Sequence, residues 1–309
     1  MFRLAHFSDI HLGPLPGVTY RQLASKRITG YVNWHRNRRR NIHEGVTERL
    51  LSDMEHFQPD HIAITGDLVN LALDAELEMA SIWLESLGPV ERVSLVPGNH
   101  DAYVPGALDK ACRSWARWMK PDDRPKSTTR HAFPYLHRRG PLGLIGASSA
   151  QATAPFMASG TFSSVQAKGL AELLRKAAAD GLFRVILIHH PPVRGATATR
   201  KRLFGIRRFQ NVIRAHGAEL VLHGHTHLAT THWIDSKDGP VPVVGVPAAG
   251  QGPGSSKPAA QYNLFDIDGE PGKWSVKLQR RGLAGTAIEP VTMSAEDLGS
   301  IANSARKHA

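Results

Sequence analysis

Five short polar fragments, each at the carboxyl end of an apolar run, constrain this chain more than any other feature. FRLAHFS (2–8) runs into Asp9-Ile10-His11, and HIAITG (61–66) runs into Asp67. RVSLVP (92–97) leads to Gly98-Asn99-His100-Asp101, RVILI (184–188) to His189-His190-Pro191-Pro192, and ELVL (219–222) to His223-Gly224-His225-Thr226-His227. Such runs predict strands. In open α/β sheets, ligands gather outside the carboxyl ends of the strands, so these fragments predict one site at one sheet edge.

LGLIGAS (142–148) predicts another central strand. VPVVGV (241–246), YNLFDI (262–267) and KWSVKLQ (273–279) follow one another without a helical signal and predict antiparallel strands. Residues 43–57, 74–87 and 163–179 each carry one apolar face at helical spacing, the last with Ser163 as N-cap. A β-α-β-α-β first half and a β-rich later part predict an α/β fold of two packed sheets flanked by helices. Residues 1–281 are expected to form one domain. Residues 282–309 are expected to be a weakly ordered C-terminal tail with a helix at 294–305.

No apolar run approaches the ~18 residues of a membrane span, and the N-terminus lacks a signal peptide's apolar stretch. A single cysteine, Cys112, forms no internal disulfide and no Cys-based zinc site. A cytoplasmic setting is therefore expected.

The net charge of +11 is unevenly spread. Segments 12–43, 110–140 and 194–214 each carry a net +7, so the remainder is net acidic. Each segment follows one of the polar fragments, and the three are expected to form basic caps around the site. An anionic partner is the usual meaning of such asymmetry.

Asp9, His11, Asp67, Asn99, His189, His225 and His227 comprise two carboxylates, one amide and four imidazoles. That mixture suits Mn, Fe or Zn better than Ca or Mg. Seven ligands exceed what one tetrahedral zinc needs, so two ions sharing a carboxylate are expected. Alternate residues of an extended segment share a face, which would let Asp9/His11 and His225/His227 each aim two side chains at one cavity. His190 is as reachable as His189.

The five fragments match D-x-H, G-D, G-N-H-D, a lone His and G-H-x-H over about 70% of the chain. In this the sequence resembles the calcineurin-like metallophosphoesterase superfamily. The resemblance implies a four-layer αββα sandwich of two mixed β-sheets flanked by helices. It implies one metal on Asp9, His11 and His227, a second on Asn99, His189 and His225, and Asp67 bridging them. It assigns His100 to the substrate phosphate as general acid, and Asp67 and His100 to catalysis. A water activated between ions ~4 Å apart would attack phosphorus in line, making the protein a dinuclear metal-dependent phosphohydrolase, most simply a phosphodiesterase.

The basic segments interleave aromatic residues, with Arg36, Arg39, Trp115 and Trp118 as candidate substrate-binding residues at the rim. Basic, Trp-bearing stretches suit an anionic membrane surface or single-stranded nucleic acid. The expected substrate is an anionic phosphoester in a lipid head group or linked to a nucleotide, met in the cytoplasm or peripherally at the inner face of a membrane. The fold is similar to UDP-2,3-diacylglucosamine hydrolases, whereas the GNHD and HHPP spacing is similar to class III cyclic-nucleotide phosphodiesterases. A nuclease, with nucleic acid as the less favoured partner, and a non-enzymatic basic membrane- or nucleic-acid-binding scaffold of the same fold are the alternatives.

Overall fold

A computed structural model describes residues 1–35, 45–122, 130–285 and 289–300. In chain order the elements are β1 (Phe2–Phe7), α1 (Tyr20–Leu23), α2 (Arg27–Asn33), α3 (Val46–His56), β2 (His61–Ile64), α4 (Asp74–Ser86), β3 (Val93–Leu95), α5 (Ala107–Ser114) and α6 (Ala116–Met119). There follow β4 (Tyr135–Arg139), β5 (Leu142–Gly146), β6 (Gly160–Thr161), α7 (Ser164–Ala179), β7 (Phe183–Leu187), β8 (Leu203–Phe204) and α8 (Ile206–His216). The chain closes with β9 (Leu220–His223), β10 (Thr230–Ile234), β11 (Val241–Gly245), β12 (Gln261–Asp268), β13 (Ser275–Leu283) and β14 (Pro290–Ser300).

The strands make two six-stranded mixed sheets, ordered β14-β13-β12-β1-β2-β3 and β10-β11-β9-β7-β5-β4. Alternation along the strands explains the layering. Phe183, Val185 and Leu187 of β7 and Leu220 and Leu222 of β9 join one core with Leu4 and Phe7 of β1 and Leu264 of β12. The intervening Ile186 and Val221 point the other way, into a second core with Leu170 and Leu174 of α7 and Phe209 and Ile213 of α8. Helices α3 to α6 supply Leu50, Leu77, Ala111 and Trp118 to the first core. The result is two mixed sheets flanked by helices.

Three expectations are corrected. Residues 290–300 form β14, an edge strand antiparallel to β13, where a helix was expected within a loose tail. Their backbone groups find partners on β13, and the buried Arg280 binds Glu296 through a 3.0 Å ion pair. The strand at 241–246 pairs antiparallel with β10 but parallel with β9, in a different sheet from the antiparallel 262–267 and 273–279 strands. Trp115 and Trp118 are buried, at 0% and 2% exposure, and do not line a rim. Trp115 donates its indole N–H to Leu77 O, locking α5 and α6 onto α4. Arg36 and Arg39 lie outside the described residues.

Candidate metal centre

The polar fragments leave their strands in tight turns. Asp9, His11, Asp67, His225 and His227 all have left-handed φ values, between 50° and 66°. The strands end at Phe7, Ile64 and His223, so these side chains converge through left-handed turns rather than through the strand alternation expected. Glycines allow the turns to nest. A Cβ on Gly98 would strike the Asp67 carboxylate, and one on Gly224 would strike Ser8 and the Asp9 carboxylate.

Two clusters result. The ligand atoms of Asp9, His11 and His227 lie within 4.8 Å of one another. His227 Nε2 is 3.0 Å from Asp9 Oδ1, and His11 Nε2 is 4.0 Å from it. In the second, His189 Nε2 is 3.2 Å from Asn99 Oδ1 and 3.4 Å from Asp67 Oδ2. The His225 ring centroid lies 5.1 Å from that of His189. Asp67 Oδ2 also sits 3.9 Å from His11 Nε2, so this one oxygen faces both clusters.

Backbone carbonyls set the rings. His11 Nδ1 contacts Val69 O at 3.0 Å, His189 Nδ1 contacts Thr65 O at 2.7 Å, and His225 Nε2 contacts Lys201 O at 2.9 Å. A carbonyl only accepts, so each of these nitrogens carries its proton and the other ring nitrogen faces the site. His190 differs: its Nδ1 meets Ser149 Oγ at 2.8 Å and its Nε2 meets Ala158 O at 3.1 Å. It is close to His225, at 4.2 Å between centroids, but both its nitrogens are engaged within the protein. Burial pushes its pKa down to about 3.

The donor set fits cations. Asp9 Oδ1 is buried with no donor in hydrogen-bonding geometry. His189 Nε2, Asn99 Oδ1 and Asp67 Oδ2 bring lone pairs together in a buried space, which a proton or a cation must occupy. Burial alone would raise both carboxyl groups. Instead the imidazoles His227 and His189 hold Asp9 well below the ordinary range, and His189 and His100 do the same for Asp67. Burial keeps His225 neutral, its pKa well below the ordinary value.

His100 sits beside both clusters. Its backbone N–H donates to Asp67 Oδ1 at 2.7 Å, and its Nδ1 donates to Asn70 O at 2.7 Å. Its ring stacks on Tyr103, with centroids 5.3 Å apart, and meets His11 edge-on.

Two supporting carboxylates escape sequence reasoning. Asp101 accepts from the backbone N–H groups of Asp67, Leu68, Val69 and Gly98, at 2.7 to 3.2 Å. Burial and the Asp67 charge push its pKa up to about 7, against the pull of those N–H groups. Glu76 does the same for Asn70, Leu71 and Leu73. The final Asp of GNHD was the available signal for the first; nothing in the sequence marks the second.

The basic segments differ in use. Lys110 pairs with Asp74, Arg117 with Glu85 and Arg138 with Asp180, so these cations of the second segment meet scaffold acids, while Arg139 pairs with Asp122 of the segment itself. In the first, Lys26 Nζ donates to Thr153 Oγ1 and Met157 O and lies 4.7 Å from the Tyr103 ring centroid, beside His100.

Two sheets with this Asp, Asn and His constellation at their carboxyl edge define a metal-dependent phosphoester hydrolase. The family model for calcineurin-like phosphoesterases matches residues 2–229, and the chain belongs to that family. Among solved structures, a dimetal phosphatase from Danio rerio is similar at 14% identity and a TM-score of 0.57, over 95% of this chain and 98% of the other. A purple acid phosphatase from yellow lupin, Lupinus luteus, is similar at 14% identity and a TM-score of 0.55, over 94% of this chain and 53% of the lupin chain. At this identity both likenesses concern the fold. No curated protein matches the sequence.

Proposed function

We propose that the chain is a dinuclear metal-dependent phosphodiesterase. The observation that carries this is Asp67 Oδ2 facing both Asp9/His11/His227 and Asn99/His189. Asp9, His11 and His227 would hold one transition ion; Asn99, His189 and His225 would hold the second; Asp67 would touch both. The nitrogen-rich donors favour Mn, Fe or Zn. When bound, such ions supply Lewis-acid polarisation of the phosphoryl oxygens and lower the pKa of water.

The chain's own residues do the rest. The carbonyls of Val69, Thr65 and Lys201 fix which nitrogen of each ligand ring faces inward. Asn70 O and Tyr103 fix the His100 ring edge-on to His11, beside the Asp67 carboxylate, from where it would act on substrate. Water oxygen adds to phosphorus as one of its protons passes to bulk water, the bond to the departing oxygen breaks, and His100 gives that oxygen a proton and regains one from bulk water. The products are an alcohol and a phosphomonoester.

Hydrolysis of bis(p-nitrophenyl) phosphate and of p-nitrophenyl phosphate tests this. Turnover should require added Mn, Fe or Zn, fall to background with chelator or in Asp67→Ala, and favour the diester. Unchanged turnover in Asp67→Ala overturns the centre; preference for the monoester overturns the diester assignment.

A bilayer as second reading no longer rests on Trp115 and Trp118, since both are core residues. It rests on Tyr20, Ile28 and Val32, exposed at 94%, 54% and 40% in the first basic segment. Flotation with phosphatidylglycerol vesicles decides it. Binding lost in Tyr20→Ser/Ile28→Ser supports the reading, and no flotation removes it.

A further inference from the structure

A cleft of about 560 Å³ lies between the segment that follows Pro191-Pro192 and the start of α8. Arg194, Thr197, Thr199, Arg202 and Arg207 line it, and no acidic residue does. Among the described residues none of these arginines has a carboxylate partner, in contrast to Lys110, Arg117 and Arg139. Three like charges around one cleft repel one another unless an anion sits between them. Arg202 is held over the Phe204 ring at 4.6 Å, which keeps its guanidinium at the wall.

Helix α8 adds to this field. It starts after Gly205, at φ 98°, with no side-chain cap and no acid in its first turn. Its first N–H groups therefore open beside the arginines. A second cleft of about 550 Å³ shares Gly205 and Arg207 and continues past Arg208 and Asn211.

The segment that lines the first cleft is tied to the candidate centre at both ends. Arg194 is five residues beyond His189, and Arg202 directly follows Lys201, whose carbonyl accepts the 2.9 Å bond from His225 Nε2. Adjacent Cα atoms are only ~3.8 Å apart.

We infer that this cleft holds a phosphate group of the substrate other than the one being hydrolysed, so that the substrate is a phosphodiester carrying at least one further phosphate. This rests on the dinuclear reading of the centre. The arginines bind the second phosphate through paired N–H donors.

The test compares the p-nitrophenyl ester of thymidine 5′-phosphate with and without a 3′-phosphate, using metal-loaded protein. The wild type should favour the 3′-phosphorylated ester by about tenfold in kcat/KM. In Arg194→Ser/Arg202→Ser/Arg207→Ser that ratio should fall to about one. A wild-type ratio of one or less, or a ratio that survives in the triple variant, overturns the proposal. Should neither ester be hydrolysed, the centre fails and the cleft is read separately. Calorimetric titration of metal-free protein with tripolyphosphate should give saturable binding that the triple variant loses. Equal binding by both proteins, or none by either, overturns the cleft.

Discussion

Asp9, His11, Asp67, His225 and His227 are five of the eight non-glycine residues with positive φ among the described residues. Each such conformation costs roughly 1–3 kcal/mol and persists only where the surroundings enforce it. Here the enforcement is visible in backbone accepted by carboxylates. Asp101 collects four N–H groups around Asp67, and Asp9 Oδ2 accepts from His225 N at 2.9 Å. Asp101→Asn replaces one of two accepting oxygens with an amide nitrogen that must turn its donors towards those N–H groups. It should destabilise the fold by about 2 kcal/mol or more in urea unfolding; unchanged stability would show that Asp101 organises nothing. Gly224→Ala forces a methyl group onto Ser8 and the Asp9 carboxylate. Its metal content should drop while its far-ultraviolet dichroism stays native, and full metal content would contradict the packing described. The residue types that gather at the candidate centre were legible in the sequence because Asp, Asn and His at strand ends have few bland explanations in combination. The left-handed turns were not, since strand periodicity carries no information past the last paired residue. Nor were the hydrogen bonds that engage His190 with Ser149 and Ala158, some thirty to forty positions away.

The elements are joined by buried polar contacts as well as by apolar packing. His61 on β2 meets Ser94 Oγ at 2.9 Å, Ser94 Oγ meets His137 Nδ1 at 2.7 Å, and His137 Nε2 donates to Lys120 O at 2.6 Å. This chain crosses from one sheet to the other. Burial, and then Arg139, push the His137 pKa down to about 4, with the Lys120 carbonyl and Asp122 pulling the other way. A depressed imidazole pKa gives stability that is present above the unfolded value near 6.5 and lost as pH falls through 4. His137 should thus contribute a loss on the order of 3 kcal/mol over that window. The wild type should lose more stability than His137→Gln between pH 7 and pH 4.5 in urea titrations; parallel curves would assign the acid sensitivity elsewhere. At the far edge, Arg280 on β13 is 4% exposed and donates to Gly245 O, Asn263 Oδ1 and Thr231 Oγ1, with Glu296 of β14 as its ion partner. Glu296→Ala leaves that cation without its carboxylate and should cost about 1–3 kcal/mol; a neutral result would make β14 an ornament. Central strands and the α3, α4 and α7 helices follow their periodicity closely. Helix α8 was hidden by its arginines: IRRFQNVIRAH reads as a basic insertion until Phe209 and Ile213 are seen to share one buried face. Edge strand β14 lacks clean alternation because both its faces are largely open, with Leu298 its one described residue in the core.

The molecule as a whole uses its length to finish the sheets that present the site. The family match ends at residue 229, yet β10 and β11 complete one sheet and β12, β13 and β14 complete the other. No described helix is long and apolar enough to cross a membrane. The acidic scaffold and its basic segments, seen first as a uniform rim, prove uneven. In one segment Lys110, Arg117 and Arg138 pair with scaffold acids, and in another three arginines surround a cleft. Anomalous X-ray diffraction from crystals grown with manganese tests the central claim most directly. The account predicts two anomalous peaks per chain, one among Asp9, His11 and His227, the other among Asn99, His189 and His225, with the Asp67 carboxylate between them. A single peak, or density at neither cluster, would contradict it.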